Sequence, residues 1–141
     1  MDRTATENAY WDRINPVRRT PSKLHIATQA LFRLIKEEKS YHKELQHQKQ
    51  RVERLKAELA KGINVDVNSE YMIRQEERAI AQTEAVFAPL HKKIEDGIKS
   101  VQEELAYAED PTPIDELENA RQALLQARDV LGLPPINQDD Y

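Results

Sequence analysis

Apolar positions recur in steps of three and four along residues 24–59: Leu24, Ala27, Leu31, Leu34, Tyr41, Leu45, Val52, Leu55 and Leu59. The polar Glu38 and Gln48 fill the two gaps. Such an alternation keeps one seam on one side of a helix, so the stretch predicts a single long helix over about 21–60 that packs on neighbouring helices. The stripe narrows as it goes. Eight of the twelve residues 24–35 are apolar, Ile26, Phe32 and Ile35 among them, against seven of the twenty-five residues 36–60. A wide stripe serves two neighbours and a narrow one serves a single neighbour. The first part of the helix is therefore expected in a three-helix region and the second in a two-helix arm. Glu38 and Gln48 sit where the stripe narrows and read as register-fixing seam residues.

Thr20-Pro21 reads as the start of this helix, a hydroxyl cap followed by a proline at the first helical position, and Gly62 ends it. The short connector Gly62-Ile63-Asn64-Val65-Asp66 calls for an antiparallel hairpin, with Asp66, Asn68 and Ser69 all candidates for the next cap. A second helix over about 67–109 spaces Ile73, Ile80, Phe87, Ile94, Val101 and Ala108 by seven, and Leu90, Ile98 and Leu105 widen its later half. Pro89 lies inside it and predicts a bend, while Gly97 predicts a close helix contact. Thr112-Pro113, followed by Asp115 and Glu116, opens a third helix over about 113–131. Its inner face is Ile114, Leu117, Leu124, Ala127 and Leu131, and Gly132 with Pro134 and Pro135 ends it. At ~1.5 Å per residue this helix is roughly 28 Å long, enough to cover only the half holding residues 24–40 and 86–108. The expected fold is all-α: an antiparallel, coiled-coil-like three-helix bundle of two long helices in a hairpin and a shorter third, over residues 20–132. Residues 1–19 read as a flexible extension, whose apolar group Tyr10, Trp11, Ile14 and Val17 is able to dock on the bundle or on a partner. Residues 133–141 read as a C-terminal tail.

Composition narrows the function. The 141 residues are 33% charged and 6% aromatic, with three glycines and no cysteine, which suits long helices and excludes a disulfide framework and thiol chemistry. The net charge of −4 divides into +6 over residues 1–61 and −10 over residues 62–141. The first helix thus offers a basic face to an acidic partner, or to the acidic half of its own chain. Glu37, Glu38, Glu44, Glu53 and Glu58 interrupt that face, so nucleic acid is not expected. No apolar run is long enough for a membrane span. His25, His42, His47 and His91 are never four apart, and none has a cysteine or paired carboxylate at ligand spacing, so no metal site is expected. Adjacent acids such as Glu76-Glu77 point to different faces of a helix. With no phosphate loop and no nucleophile motif, neither catalysis nor a cofactor is expected.

The run from Ala30 to Leu45 contains Arg33-Leu34-Ile35-Lys36-Glu37, then Tyr41, then Glu44. It resembles the first helix of the tubulin-folding cofactor A family. Gln75-Glu76-Glu77-Arg78 is similar to the Gln-Glu run of the family's second helix, and Pro89 after Val86-Phe87-Ala88 is similar to its proline, about one residue out of step. Glu118-Asn119-Ala120-Arg121 followed by Leu124-Leu125 resembles its third helix, so the resemblance covers about residues 22–132. It implies a binding protein that captures β-tubulin after chaperonin release, consumes no nucleotide, and passes its cargo to other tubulin-folding cofactors for α/β-heterodimer assembly. It also implies a cytoplasmic, cytoskeleton-associated place of work. Short loops leave binding to the helical faces. The candidate contact residues are Arg33, Lys36, Glu37, Lys43 and Glu44 on the first helix and Gln75, Glu76 and Arg78 on the second, though each also reads as a solvated surface charge. The alternative is a coiled-coil adaptor or oligomerisation module unrelated to tubulin. Monomer and homodimer both stay open, since Leu45, Val52, Leu55, Leu59, Ile73 and Ile80 offer a seam to a second copy.

Overall fold

The computed structural model describes residues 4, 5, 7, 21–63, 65–108 and 112–134. Tyr10, Trp11, Ile14 and Val17 and the tail from residue 135 lie outside the described residues. From residue 21 onward the described chain forms four helical segments: α1 Lys23–Lys61, α2 Ser69–Glu84, α3 Phe87–Ala106 and α4 Ile114–Val130. Joined, α2 and α3 make the return limb of a hairpin with α1, and α4 completes an antiparallel three-helix bundle by packing on α1 and α3.

Helix α1 begins two residues later than Thr20-Pro21 implies. Ser22 is the cap, and its Oγ accepts from the backbone N–H of His25 at 3.0 Å. The same hydroxyl donates to Glu116 Oε2 of α4 at 2.8 Å, a tertiary bond that favours Ser22 over its neighbours. At the other end Gly62 adopts φ 68°. The Gly62 N–H bonds to the Leu59 carbonyl at 3.2 Å and the Ile63 N–H to the Glu58 carbonyl at 2.9 Å, a Schellman closure open to glycine because it lacks a Cβ. In the connector, Asp66 Oδ1 accepts from the Asn68 N–H at 2.7 Å and Ser69 Oγ accepts from the Asp66 N–H at 2.9 Å. Asn68 holds the cap position without a side-chain capping bond.

The second predicted helix is interrupted rather than only bent. The break falls at Ala85 and Val86, ahead of Pro89, where the Val86 N–H turns to the Thr83 carbonyl at 3.1 Å. Pro89 is thereby the third residue of α3, in the first turn, where a missing N–H leaves no helix bond unmade. Farther along, a Cβ on Gly97 would lie 3.0 Å from Leu31 Cδ1 and 3.6 Å from Leu34 Cδ1, the close α1–α3 approach that the glycine predicts.

One continuous core joins Leu24, Leu31 and Ile35 of α1, Leu90, Ile94, Ile98 and Val101 of α3, and Ala120, Ala123, Leu124 and Ala127 of α4. The three alanines of α4 let its backbone approach closely. Beyond it the α1–α2 arm buries Val52 and Ile73 outside that core. These two seam residues face each other's helix within one chain and so are not free for a second copy. Two inner-face expectations fail: Ile26 is 57% exposed and Ile114 is 76% exposed. Both lie in the first turn or two of their helices, where no other described helix covers them. Ala108 falls past the end of α3 and is also exposed.

Candidate functional site

The outward side of α1 carries Arg33, Lys36, Glu37, Lys43 and Glu44 at three-, four- and seven-residue spacings, away from Leu31, Ile35 and Glu38. All five are exposed, and none of their side chains forms a hydrogen bond or ion pair with another described residue. On α2, Gln75 and Arg78 are likewise exposed and free of such contacts. Glu76 differs: it is half-buried and accepts from Arg51 Nη1 at 3.1 Å. Lys56–Glu77 at 3.2 Å and Lys49–Glu84 at 4.0 Å repeat the pattern along the arm. Part of the basic charge of α1 is thus matched by the acidic half of its own chain. Exposed pairs of this kind add little stability each, but they favour one register of α1 against α2.

That register separates the candidates. Leu31 meets Gly97, Glu38 meets His91 and Arg51 meets Glu76, so Gln75 and Arg78 stand level with Arg51 and its neighbours. Glu44 lies seven residues before Arg51, ~10 Å along the axis. The structure therefore gathers the five α1 residues into one stripe and leaves Gln75 and Arg78 as a second group on the arm.

At the junction of bundle and arm sits a cluster that the sequence analysis did not assemble. Glu38 is 4% exposed. Its Oε1 receives His42 Nε2 at 2.5 Å and His91 Nε2 at 3.4 Å, and the His42 ring lies over Phe87 with centroids 4.4 Å apart. No lysine or arginine among the described residues reaches this carboxylate. The signal in the sequence is Glu38 and His42 four apart on one helix face. Among the described residues no group of three His, Cys, Asp or Glu is arranged to hold a metal ion. The cluster locks the register of α1 against the first turn of α3, in keeping with the register role read for Glu38. Gln48 is different, because its Oε1 is buried without a partner.

Two apolar groups are exposed as well. At the arm's tip Ile63, Val65, Val67, Tyr71 and Met72 stand out, with Val67 fully exposed. The connector, expected to be too short to form a site, thus exposes three β-branched side chains, Ile63, Val65 and Val67. At the opposite end, which we call the base, Ile26, Tyr107 and Ile114 are exposed. No described helix is long and apolar enough to cross a membrane.

A protein-family model described as tubulin binding cofactor A matches residues 19–124, from just before α1 to within α4. Neither a curated protein nor a solved structure matches the chain.

Proposed function

The chain belongs to the tubulin binding cofactor A family, and from that premise we propose that its tubulin partner is β-tubulin, captured in the cytoplasm after chaperonin release and held for assembly with α-tubulin. The observation that carries the binding surface is the α1 stripe. Arg33, Lys36, Glu37, Lys43 and Glu44 project from a rigid helix and make no side-chain bond within the described chain. Ordered charges without intrachain partners bind without first breaking internal contacts. Three of the five are cationic, which suits an acidic partner and makes association sensitive to salt. Gln75 and Arg78 extend the contact along the arm, with Glu76 contributing through Arg51 rather than directly. The cargo then passes to other tubulin-folding cofactors, and no nucleotide is consumed.

The test is size-exclusion chromatography with light scattering, on the chain alone and mixed with freshly chaperonin-released β-tubulin. A stoichiometric complex is expected. Arg33→Glu with Lys36→Glu should weaken it at least tenfold, about 1.4 kcal/mol, while helicity stays unchanged because both side chains are exposed. No complex with β-tubulin, or equal capture of α-tubulin, would sink the β-tubulin assignment. Full binding by the doubly reversed variant would remove the α1 stripe from it.

A further inference from the structure

The helices that pack on α1 are held unequally. Helix α3 buries Leu90, Ile94, Ile98 and Val101 and packs on both α1 and α4, and α4 buries Ala120, Ala123, Leu124 and Ala127 against α1 and α3. Helix α2 rests on α1, and of its sixteen residues only Ile73 and Thr83 are buried. The Thr83 hydroxyl donates to the Ala79 carbonyl of its own helix at 3.0 Å rather than to α1. On the α1 seam that α2 covers, Gln48 Oε1 is buried without a partner, a cost that is relieved when α2 departs. Among the described residues the polar ties between the two helices are Arg51–Glu76, Lys56–Glu77 and Lys49–Glu84, whose cations are all more than half exposed to water.

The ends of α2 are weakly fastened as well. Asn68 makes no side-chain capping bond, and Glu84 places a negative charge in the last turn, against the helix dipole. No N–H of α3 bonds to a carbonyl of α2, and Pro89 has none to offer the Ala85 carbonyl. Helix α1, by contrast, runs through the junction unbroken, so its arm half extends a helix already nucleated in the bundle.

We infer that α2 is a strap: it lifts from α1 as one unit, pivoting at Ala85 and Val86 while the three-helix bundle stays folded, and the seam it uncovers receives an acidic amphipathic helix of the partner. That seam is Leu45, Val52, Leu55 and Leu59, flanked by Lys49, Arg51 and Lys56 once Glu84, Glu76 and Glu77 have moved away. Helix α2 itself shows what fits there, with Ile73 and Ile80 seven apart and acids that meet those three cations. The connector of residues 62–68 reaches up to ~24 Å, ample slack for a helix ~10 Å across. The docking step rests on the reading of this chain as a holder of folding β-tubulin: a partly folded protein offers apolar helix faces, and the charged α1 stripe has no apolar surface to meet them.

Hydrogen exchange read by mass spectrometry on the full chain tests the strap. Residues 69–84 should exchange together, roughly a hundredfold faster than α3 and α4, at a rate unchanged by dilution. Gln48→Leu replaces the unpartnered carbonyl with an apolar side chain and should slow α2 about tenfold while leaving α4 unchanged. Ile73→Ala, which alters the strap and not the uncovered seam, should speed α2 at least tenfold, an estimate from truncation of a buried side chain. Its affinity for chaperonin-released β-tubulin should rise by the same factor, because apparent affinity follows the open fraction. Exchange of α2 as slow as that of α4, or fraying only inward from Ser69, overturns the strap. Faster opening in Ile73→Ala with unchanged β-tubulin affinity overturns the docking site. A mass that doubles with concentration does so too, since it would place a second copy's α2 on the seam. If the unaltered chain forms no complex with β-tubulin, the functional reading falls together with the docking site, and the exchange pattern still decides the strap.

Discussion

Leu124→Ala and Val52→Ala remove apolar atoms from positions of similar burial, and the architecture predicts unequal costs. Leu124 is 0% exposed and is surrounded by the core shared by α1, α3 and α4. Its neighbours on α4 are Ala120, Ala123 and Ala127, each also 0% exposed, and none has a side chain able to swing into the space left behind. The loss therefore falls in the upper half of the range for such truncations, about 3–5 kcal/mol. Val52 is 6% exposed on the two-helix arm and stands outside that core. Two methyl groups at ~0.8 kcal/mol each give about 1.5 kcal/mol, and a two-helix arm can close or admit water, so the cavity adds little. With a urea slope of about 1.5 kcal/mol/M, the midpoint should fall by roughly 2 M or more for Leu124→Ala and by roughly 1 M for Val52→Ala. Circular dichroism at 222 nm reads both. Hydrogen exchange should show the Val52→Ala loss confined to α2 and the facing part of α1. A Val52→Ala cost equal to that of Leu124→Ala would refute the two-helix arm, because it would require a third surface over Val52.

Two further perturbations test particular contacts. Gly97→Val places a branched side chain where a Cβ already comes 3.0 Å from Leu31 Cδ1; overpacking should cost about 1–3 kcal/mol, and an unchanged urea midpoint would mean that the α1–α3 spacing is looser than described. His42→Phe with His91→Phe keeps rings against Phe87 but strips both donors from the buried Glu38, at about 1–3 kcal/mol. Adding Glu38→Leu should recover most of that loss, and a triple variant less stable than the double would show that Glu38 is not destabilised by losing its imidazole partners.

Much of the fold was legible because its determinants are local. The three-and-four seam of α1, the glycines at 62 and 132 with φ 68° and 69° and the close approach at Gly97 all follow from residue type and spacing, whereas Pro89 gave a bend where the helix in fact breaks, at Ala85 and Val86. The narrowing stripe announced where three helices give way to two. Of the candidate contact residues, the sequence identified Arg33, Lys36, Glu37, Lys43 and Glu44 as off-seam positions, and a helix's periodicity places such positions outward without knowledge of its neighbours. What periodicity lacks is the identity of the facing residue. Only the hairpin register brought His91 to Glu38 and Arg51 to Glu76, and only the docking of α4 brought Glu116 to the hydroxyl of the Ser22 cap. Ile26 and Ile114 fit the apolar pattern of their helices yet remain exposed, because a pattern marks a side as able to be covered and a neighbour must extend far enough to cover it. Spacing along one helix is a property of the chain alone, whereas contact between helices depends on where each one ends.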